Sequence, residues 1–411
     1  MEKLTGGAAT RPVENPISLL WLADIDPANI EGLPSLQQMR THGADLRLAP
    51  LPPAEKGQCY YQSLTGMGPA RFGRFDAVQA EGYRTLPAPD LTDSSPQWLL
   101  PHLLQSRKLA VAFEEITSIE GLNALAARAF DCALIRLRNA GSFTPEALDA
   151  ILARYLELVA VRGHVCVMTD VWRAPAHTLV NVNDFLVDTG LMEVSGARCS
   201  ANIIWPETLV YGLGAGQLRV NLRGREPEGV VSSGREYQEV CDALTYELLN
   251  NWLDPRTNEP VVDHVYKKND LYSGEYLFKA PDLITVYRPG YAPSARAAAL
   301  DLDGTSISPV GNPSPVQAPL APYARLIGYG PALLASASQQ QAALIDVAPT
   351  LLYLLGQPIP RRMDGEVAAA LVTPAYRAQH KITRIDEAEH ALSDEEEGLI
   401  VDRLRDLGYL G

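Results

Sequence analysis

Apolar and polar positions follow two alternating periods along the first 190 or so residues. ISLLWLADID (17–26) is a continuous apolar run that ends in acids, the pattern of a strand buried on both faces. PANIEGLPSLQQMRTHG (27–43) changes to helical spacing and stops at Gly43. KGQCYYQSLTG (56–66) predicts a second helix, closed by Gly66 with Pro69 just beyond. LAVAFEE (109–115) is a strand, SIEGLNALAARA (118–129) a helix and CALIRLRN (132–139) a strand. TPEALDAILARYLELVAVRG (144–163) is a helix with Thr144 as N-cap and Pro145 in the first position. HVCVMTD (164–170) is again a strand ending on a carboxylate. Strands alternating with helices predict a mostly parallel sheet covered on both faces.

The texture changes over 200–300, where Tyr, Pro and turn residues surround a single helix, SGREYQEVCDALTYELLNNW (233–252). Asn181 and Asn183 in VNVND predict the turn and N-cap of another helix. GTSISPVGNPSPVQAPLAP (304–322) predicts a mobile loop rich in Pro and Ser. ARLIGYGP and ALIDVAPTLLYLLG restore a strand and a helix, and LSDEEEGLIVDRLRDLGYLG (392–411) reads as an amphipathic helix capped by Ser393. The division expected is 1–199 as the first part of an α/β core and 200–300 as an insertion or cap. Residues 301–375 then complete the core after the loop, and 376–411 form a helical tail.

Charge narrows the function classes. A formal net charge of −14 argues against nucleic acid or an anionic membrane as the main partner. The five cysteines are scattered and include no CxxC pair, as expected for reduced thiols in a cytosol. Residues 1–16 show no apolar h-region, and no apolar run reaches transmembrane length, so the cytoplasm is the expected location. A small-molecule substrate is the partner expected, with a protein partner or a homo-oligomer also open.

Several stretches together resemble the alkaline phosphatase superfamily, in particular its type I phosphodiesterase/nucleotide pyrophosphatase branch. They are LADIDPANIEGLPSL, SLTGMGPARFG, VNVNDFLVDTGLM, VNLRGREPEGVV, LYSGEYLFKAPDLI, GYGPALL, IDVAPTLLYLLGQPIPRRMDG and LRDLGYLG, in the family's order over nearly the whole chain. The resemblance implies a three-layer α/β/α sandwich with a mostly parallel central sheet and a cap-like insertion. It also implies two divalent metals, commonly zinc, at the carboxyl ends of the central strands, and a Thr or Ser nucleophile at a helix start.

Matched position by position, this chain departs from that pattern. Asp24 matches the first ligand and Asp26 lies nearby, but Ile25 replaces the family's glycine. Counting back ten residues from Gly66 reaches Lys56, and no Ser or Thr occurs between Pro53 and Gln62, where the nucleophile belongs. Asp170 stands where the family has Asp-His-Gly, but Val171 and Trp172 follow it. RNAGSFTPEAL after CALIRL offers no carboxylate before Glu146 and no histidine, and the last family histidine maps near Leu320. Only His177 of the seven histidines lies close after a strand end. Val, Leu and Ala cannot replace imidazole and carboxylate in a zinc site, so the resemblance points to a scaffold without its metal centre and to no cofactor.

The residues left at that cleft are Lys56, Cys59, Tyr60, Asp24 and Asp170 as candidates for chemistry. Gln58, Trp172, His177, Arg223 and Arg225 are the candidates for substrate binding. A helix starting near Gly57 would present free amides to an anion, and Cys59 beside that start and Lys56 could be a thiolate. The alternative is a buried structural cysteine with Lys56 on the surface. Arg223 and Arg225 suit an anion by bidentate bonding, or else fix the insertion to the core through ion pairs. LDLDGTS (300–306) matches the haloacid-dehalogenase motif through Asp301 and Asp303, but a Pro-rich loop follows, so an acidic glycine turn is the better reading. Asp386 and His390 have the spacing of a metal pair within a polar tail, which a solvated helix face explains. Three functions stay open: metal-independent chemistry on a small metabolite, in specialised metabolism for example; a catalytically inactive binding or scaffold protein; and a phosphodiesterase with a reduced metal site at Asp24, Asp26 and Asp170.

Overall fold

The structure is a computed structural model. It describes residues 13–52, 56–72, 75, 78–81, 84–87, 99–126, 128–159, 163–171, 176–214, 216–294, 302, 304–310, 323–335 and 340–386. A seven-stranded sheet runs through the core in the order Gln340–Ala343, Ala44–Ala49, Ala324–Tyr329, His164–Thr169, Ile17–Leu22, Cys132–Leu137, Val111–Ile116. Only Ala324–Tyr329 runs against the others. Ile17–Leu22 and His164–Thr169 lie inside the sheet, and every residue of both is buried, which is why their sequences read as unbroken apolar runs.

Helices cover both faces. Ile17, Leu19, Trp21, Cys132, Leu134, Cys166 and Met168 face one apolar cluster, with Tyr61 and Leu64 of helix Lys56–Thr65 and residues of helices Leu100–Ser106 and Val347–Leu354. The alternate residues Leu20, Leu22, Ile135, Val165 and Val167 face a second cluster, with helices Pro34–His42, Ile119–Ala126 and Pro145–Val159. This is the expected α/β class: a large, mostly parallel sheet between helical layers.

The predicted helix over 27–43 is two pieces. Asp26 caps a 3-10 turn, Pro27–Ile30, and the α-helix begins only at Pro34, whose ring suits the first helical position. The pattern reading also missed strand Ala44–Ala49, where Asp45 and Arg47 interrupt the apolar run. Asp45 and Arg325 are both buried and paired, Nη2 to Oδ2 at 2.6 Å, so this polarity is internal.

Beside the core, a four-stranded antiparallel sheet orders Val262–Lys267, Leu283–Tyr287, Gln217–Val220 and Val210–Gly214. Helix Arg235–Asn250 packs on it, and the apolar cluster between them also takes in Val180, Val182, Phe185 and Met192. Asn181 caps helix Val182–Asp188, as its position in VNVND predicts. The start of the expected mobile loop is a strand: Ile307–Pro309 pairs with Thr178–Val180. Residues 311–322 and the predicted tail helix lie outside the described residues. No helix among the described residues is long and apolar enough to cross a membrane.

Candidate functional site

The carboxyl ends of the two central strands meet at Asp170. Trp21 and Met168 are register partners, as are Leu22 and Thr169, so Asp170 emerges one residue beyond the last pair. Its amide donates to the Leu22 carbonyl at 3.2 Å. The carboxylate is 9% exposed and both its oxygens are engaged: Trp21 Nε1 donates to Oδ1 at 2.5 Å, and the Asp24 amide donates to Oδ2 at 2.8 Å. Burial raises the Asp170 pKa above the ordinary carboxylate value; the two N–H donors and the Arg136 charge offset this only in part.

Asp24 reaches that position through a left-handed backbone, φ 63°, a region that costs a non-glycine residue energy. Its carbonyl lies against the 3-10 turn Ala140–Ser142, which follows strand Cys132–Leu137. A Cβ on Gly141 would sit 2.4 Å from the Asp24 carbonyl oxygen, so only glycine allows this approach. Backbone therefore fills the ground between the first strand end and its neighbour. Asp26 is used locally, accepting the Ala28 amide at 2.8 Å.

Helix Lys56–Thr65 lies over the same sheet face. Tyr60 stacks on Trp21 with ring centroids 5.3 Å apart and planes 27° apart. Burial pushes its phenol up to about 12. The Arg136 guanidinium lies 5.9 Å from the Trp21 ring centroid and 5.5 Å from that of Tyr60, and its Nη1 donates to Glu115 at 3.0 Å. Cys59 faces inward, 4% exposed, within the apolar cluster. Lys56 and Gln58 begin the helix, with side chains outside the described residues, as is Trp172.

The remaining candidates are engaged elsewhere. His177 is exposed, its Nδ1 is 2.8 Å from Thr178 Oγ1, and its ring packs edge-on to Tyr291. Arg223 is exposed and reaches Ser232 at 3.3 Å. The Arg225 side chain is largely enclosed: Nε donates to Glu226, Nη1 and Nη2 to Asp282, and Nη2 also to the Val220 carbonyl. These partners all lie within 200–300, so the ion pairs of Arg225 join parts of that region and do not fix it to the core. Asp301, Asp303 and His390 lie outside the described residues, and Asp386 pairs with Arg361 at 3.4 Å. Among the described residues, no three His, Cys, Asp or Glu side chains form a metal-binding group.

The family resemblance sets Asp24, Asp170 and Tyr60 at one cleft; the two residues that connect them in the structure, Trp21 and Arg136, are not among its candidates. Trp21 carried a usable signal, because a buried indole N–H needs an acceptor and a strand end is where one is found. Arg136 carried another, as a lone charge in CALIRL.

Comparison with solved structures places this geometry on a known scaffold. Murine ectonucleotide pyrophosphatase/phosphodiesterase 5 superposes with a TM-score of 0.53 at 12% identity, over 88% of this chain and 100% of that one. An inactive form of the murine protein in complex with AMP gives 0.50 at 12% identity, over 84% and 96%. The likeness is one of fold. No family model matches the sequence, and no curated protein matches it either.

Proposed function

We propose that this is a phosphodiesterase-like scaffold that has given up the two-metal centre and binds a small molecule instead of hydrolysing a phosphodiester. The observation that carries this reading is the Asp170 carboxylate, hydrogen-bonded inside the fold, with no group of three His, Cys, Asp or Glu side chains around it among the described residues. Each oxygen keeps a further lone pair, so these two bonds do not by themselves bar an ion; a zinc centre needs further ligands beside it. Among the described residues nothing around Asp170 completes a donor set: Val171 follows it, the turn beside Asp24 is Ala140–Ser142, and His164 lies at the far end of the strand that Asp170 follows. The described residues do not fit a zinc pair.

Metal-independent chemistry has less support. Cys59, the one thiol among the candidates, is enclosed in the apolar cluster, and thiolate formation there would be costly. Binding needs no nucleophile, and the aromatic and charged groups around Trp21 remain suited to it.

The test is zinc and manganese titration of the full chain by calorimetry, alongside hydrolysis of bis(4-nitrophenyl) phosphate. Neither a stoichiometric metal nor metal-dependent turnover is expected. Tight binding of either metal, with hydrolysis abolished in Asp170→Asn, would overturn the reading.

A further inference from the structure

The chain carries a net charge of −14, yet one surface region is basic. It is built from residues 107–108, 357–366 and 376–386, which direct hydrogen bonds hold together. Strand Ile359–Pro360 pairs with Arg384–Ile385, and Arg107 Nη1 donates to the Pro358 carbonyl at 2.7 Å. The Tyr353 hydroxyl donates to the His380 carbonyl at 2.7 Å, and the His380 ring stacks on Tyr376 with centroids 3.9 Å apart. With Arg107 this region brings in Lys108, Arg361, Arg362, Arg377 and Lys381. Two of its acids are already paired: Asp364 with Arg71 and Glu366 with Arg384, both at 3.0 Å. Arg377 and Lys381 are exposed and form no ion pair with a described residue. Beside them Ile382 is 49% exposed.

We propose that this basic patch is the docking surface for the acidic segment that follows it in the chain, residues 387–397. Those residues, EAEHALSDEEE, lie outside the described ones; they carry six acids and neither Lys nor Arg. Charge complementarity is the first argument, because the longest run of acids in the chain, Asp394–Glu397, stands directly behind the patch.

Continuity is the second argument. Asp386, the last described residue, already lies with Oδ1 3.4 Å from Arg361 Nε, so the chain leaves the fold on the patch itself. Reach is the third. The segment spans up to about 36 Å when extended, far more than the separation of segments joined by direct hydrogen bonds. Exposed ion pairs are individually weak, but several act together here, and the tether spares the cost of bringing in a separate molecule. Leu392, the first large apolar residue after Asp386, suits the exposed Ile382.

Proteinase K cleavage within 387–397 of the full chain, read by mass spectrometry beside a free peptide of the same residues, tests this. At low salt the chain should be cut there several-fold more slowly than the peptide, and about 1 M NaCl should remove the difference. Arg377→Glu with Lys381→Glu, both at exposed positions, should speed cleavage several-fold at low salt. Adding Glu395→Lys and Glu396→Lys to that variant should restore the protection. Equal cleavage of chain and peptide at low salt, protection that survives the salt, or failure of the charge swap to restore it would overturn the proposal. Protection that rises with protein concentration would do so too, since the segment would then lie on a second copy. None of these outcomes depends on the metal titration, so either reading can fail alone.

Discussion

At the scale of single residues, polar groups in the core divide into those with partners and those without. Asp170 has its partners in Trp21 and Asp24. His164 does not: it is 1% exposed, and neither ring nitrogen has a hydrogen-bond partner among the described residues. Burial lowers its pKa from 6.5 to about 4, so the folded protein holds it neutral. Above the unfolded value both states are neutral, and the His164 contribution to stability is fully present. As pH falls from 6.5 to about 4, the unfolded chain takes up a proton that the fold refuses, and stability is lost. The full loss is about 3 kcal/mol. In His164→Leu this part of the acid limb should disappear. Urea midpoints for both proteins, measured on either side of the window, check it, and an equal acid-induced drop in the two would refute the assignment.

At the scale of elements, helix Lys56–Thr65 shows how one segment can be predicted correctly in type while its chemistry turns on orientation. The helix forms where its pattern places it. Whether Cys59 meets solvent depends on which face lies on the sheet, and packing puts Cys59 and Leu64 inward. The sheet strands give the same result for Cys132 and Cys166, fully enclosed on that face, with burial raising both thiols, Cys166 to about 12. Burial on the inner face of helix Arg235–Asn250 pushes the Cys241 thiol up to about 11. None of the five cysteines is in a disulfide, and only Cys199 is not buried. Native-state alkylation with iodoacetamide should therefore label Cys199 alone, with the other four reacting only after denaturation. Rapid native labelling of Cys59, read by peptide mass spectrometry, would return it to the list of candidate nucleophiles.

At the scale of the whole molecule, a few carboxylates join distant segments. Asp364 accepts from the Gly68 amide, Arg71 and Ser273, which ties the helical layer to the region beside the second sheet. Asp282 does more: Arg225, Lys268, Tyr237 and the Val220 amide all donate to it. Burial alone would raise its pKa, but the Arg225 and Lys268 charges outweigh this and hold it well below the carboxylate range. Removing one partner from such a network leaves buried charge uncompensated, a loss of about 3–5 kcal/mol. Asp282→Ala should lower stability by that amount in urea denaturation. A change within the noise would mean the network relaxes around the gap.

The sequence by itself determined the alternation of strands and helices, the buried central strands, the cap at Asn181 and the α/β class. These follow from local period and local caps, which neighbours in the chain specify. The family resemblance, and not local period, set Asp24, Asp170 and Tyr60 at one cleft, where the Asp24 amide bonds Asp170 and Trp21 links Asp170 to Tyr60. Only the tertiary structure decided how those groups are used. The Trp21–Asp170 bond joins residues 149 positions apart, and Arg136 meets the same rings from a third strand. Arg225 is taken up by Asp282, and Cys59 is turned to the core. Each outcome depends on which side chains share a face after packing, and no spacing along the chain encodes that.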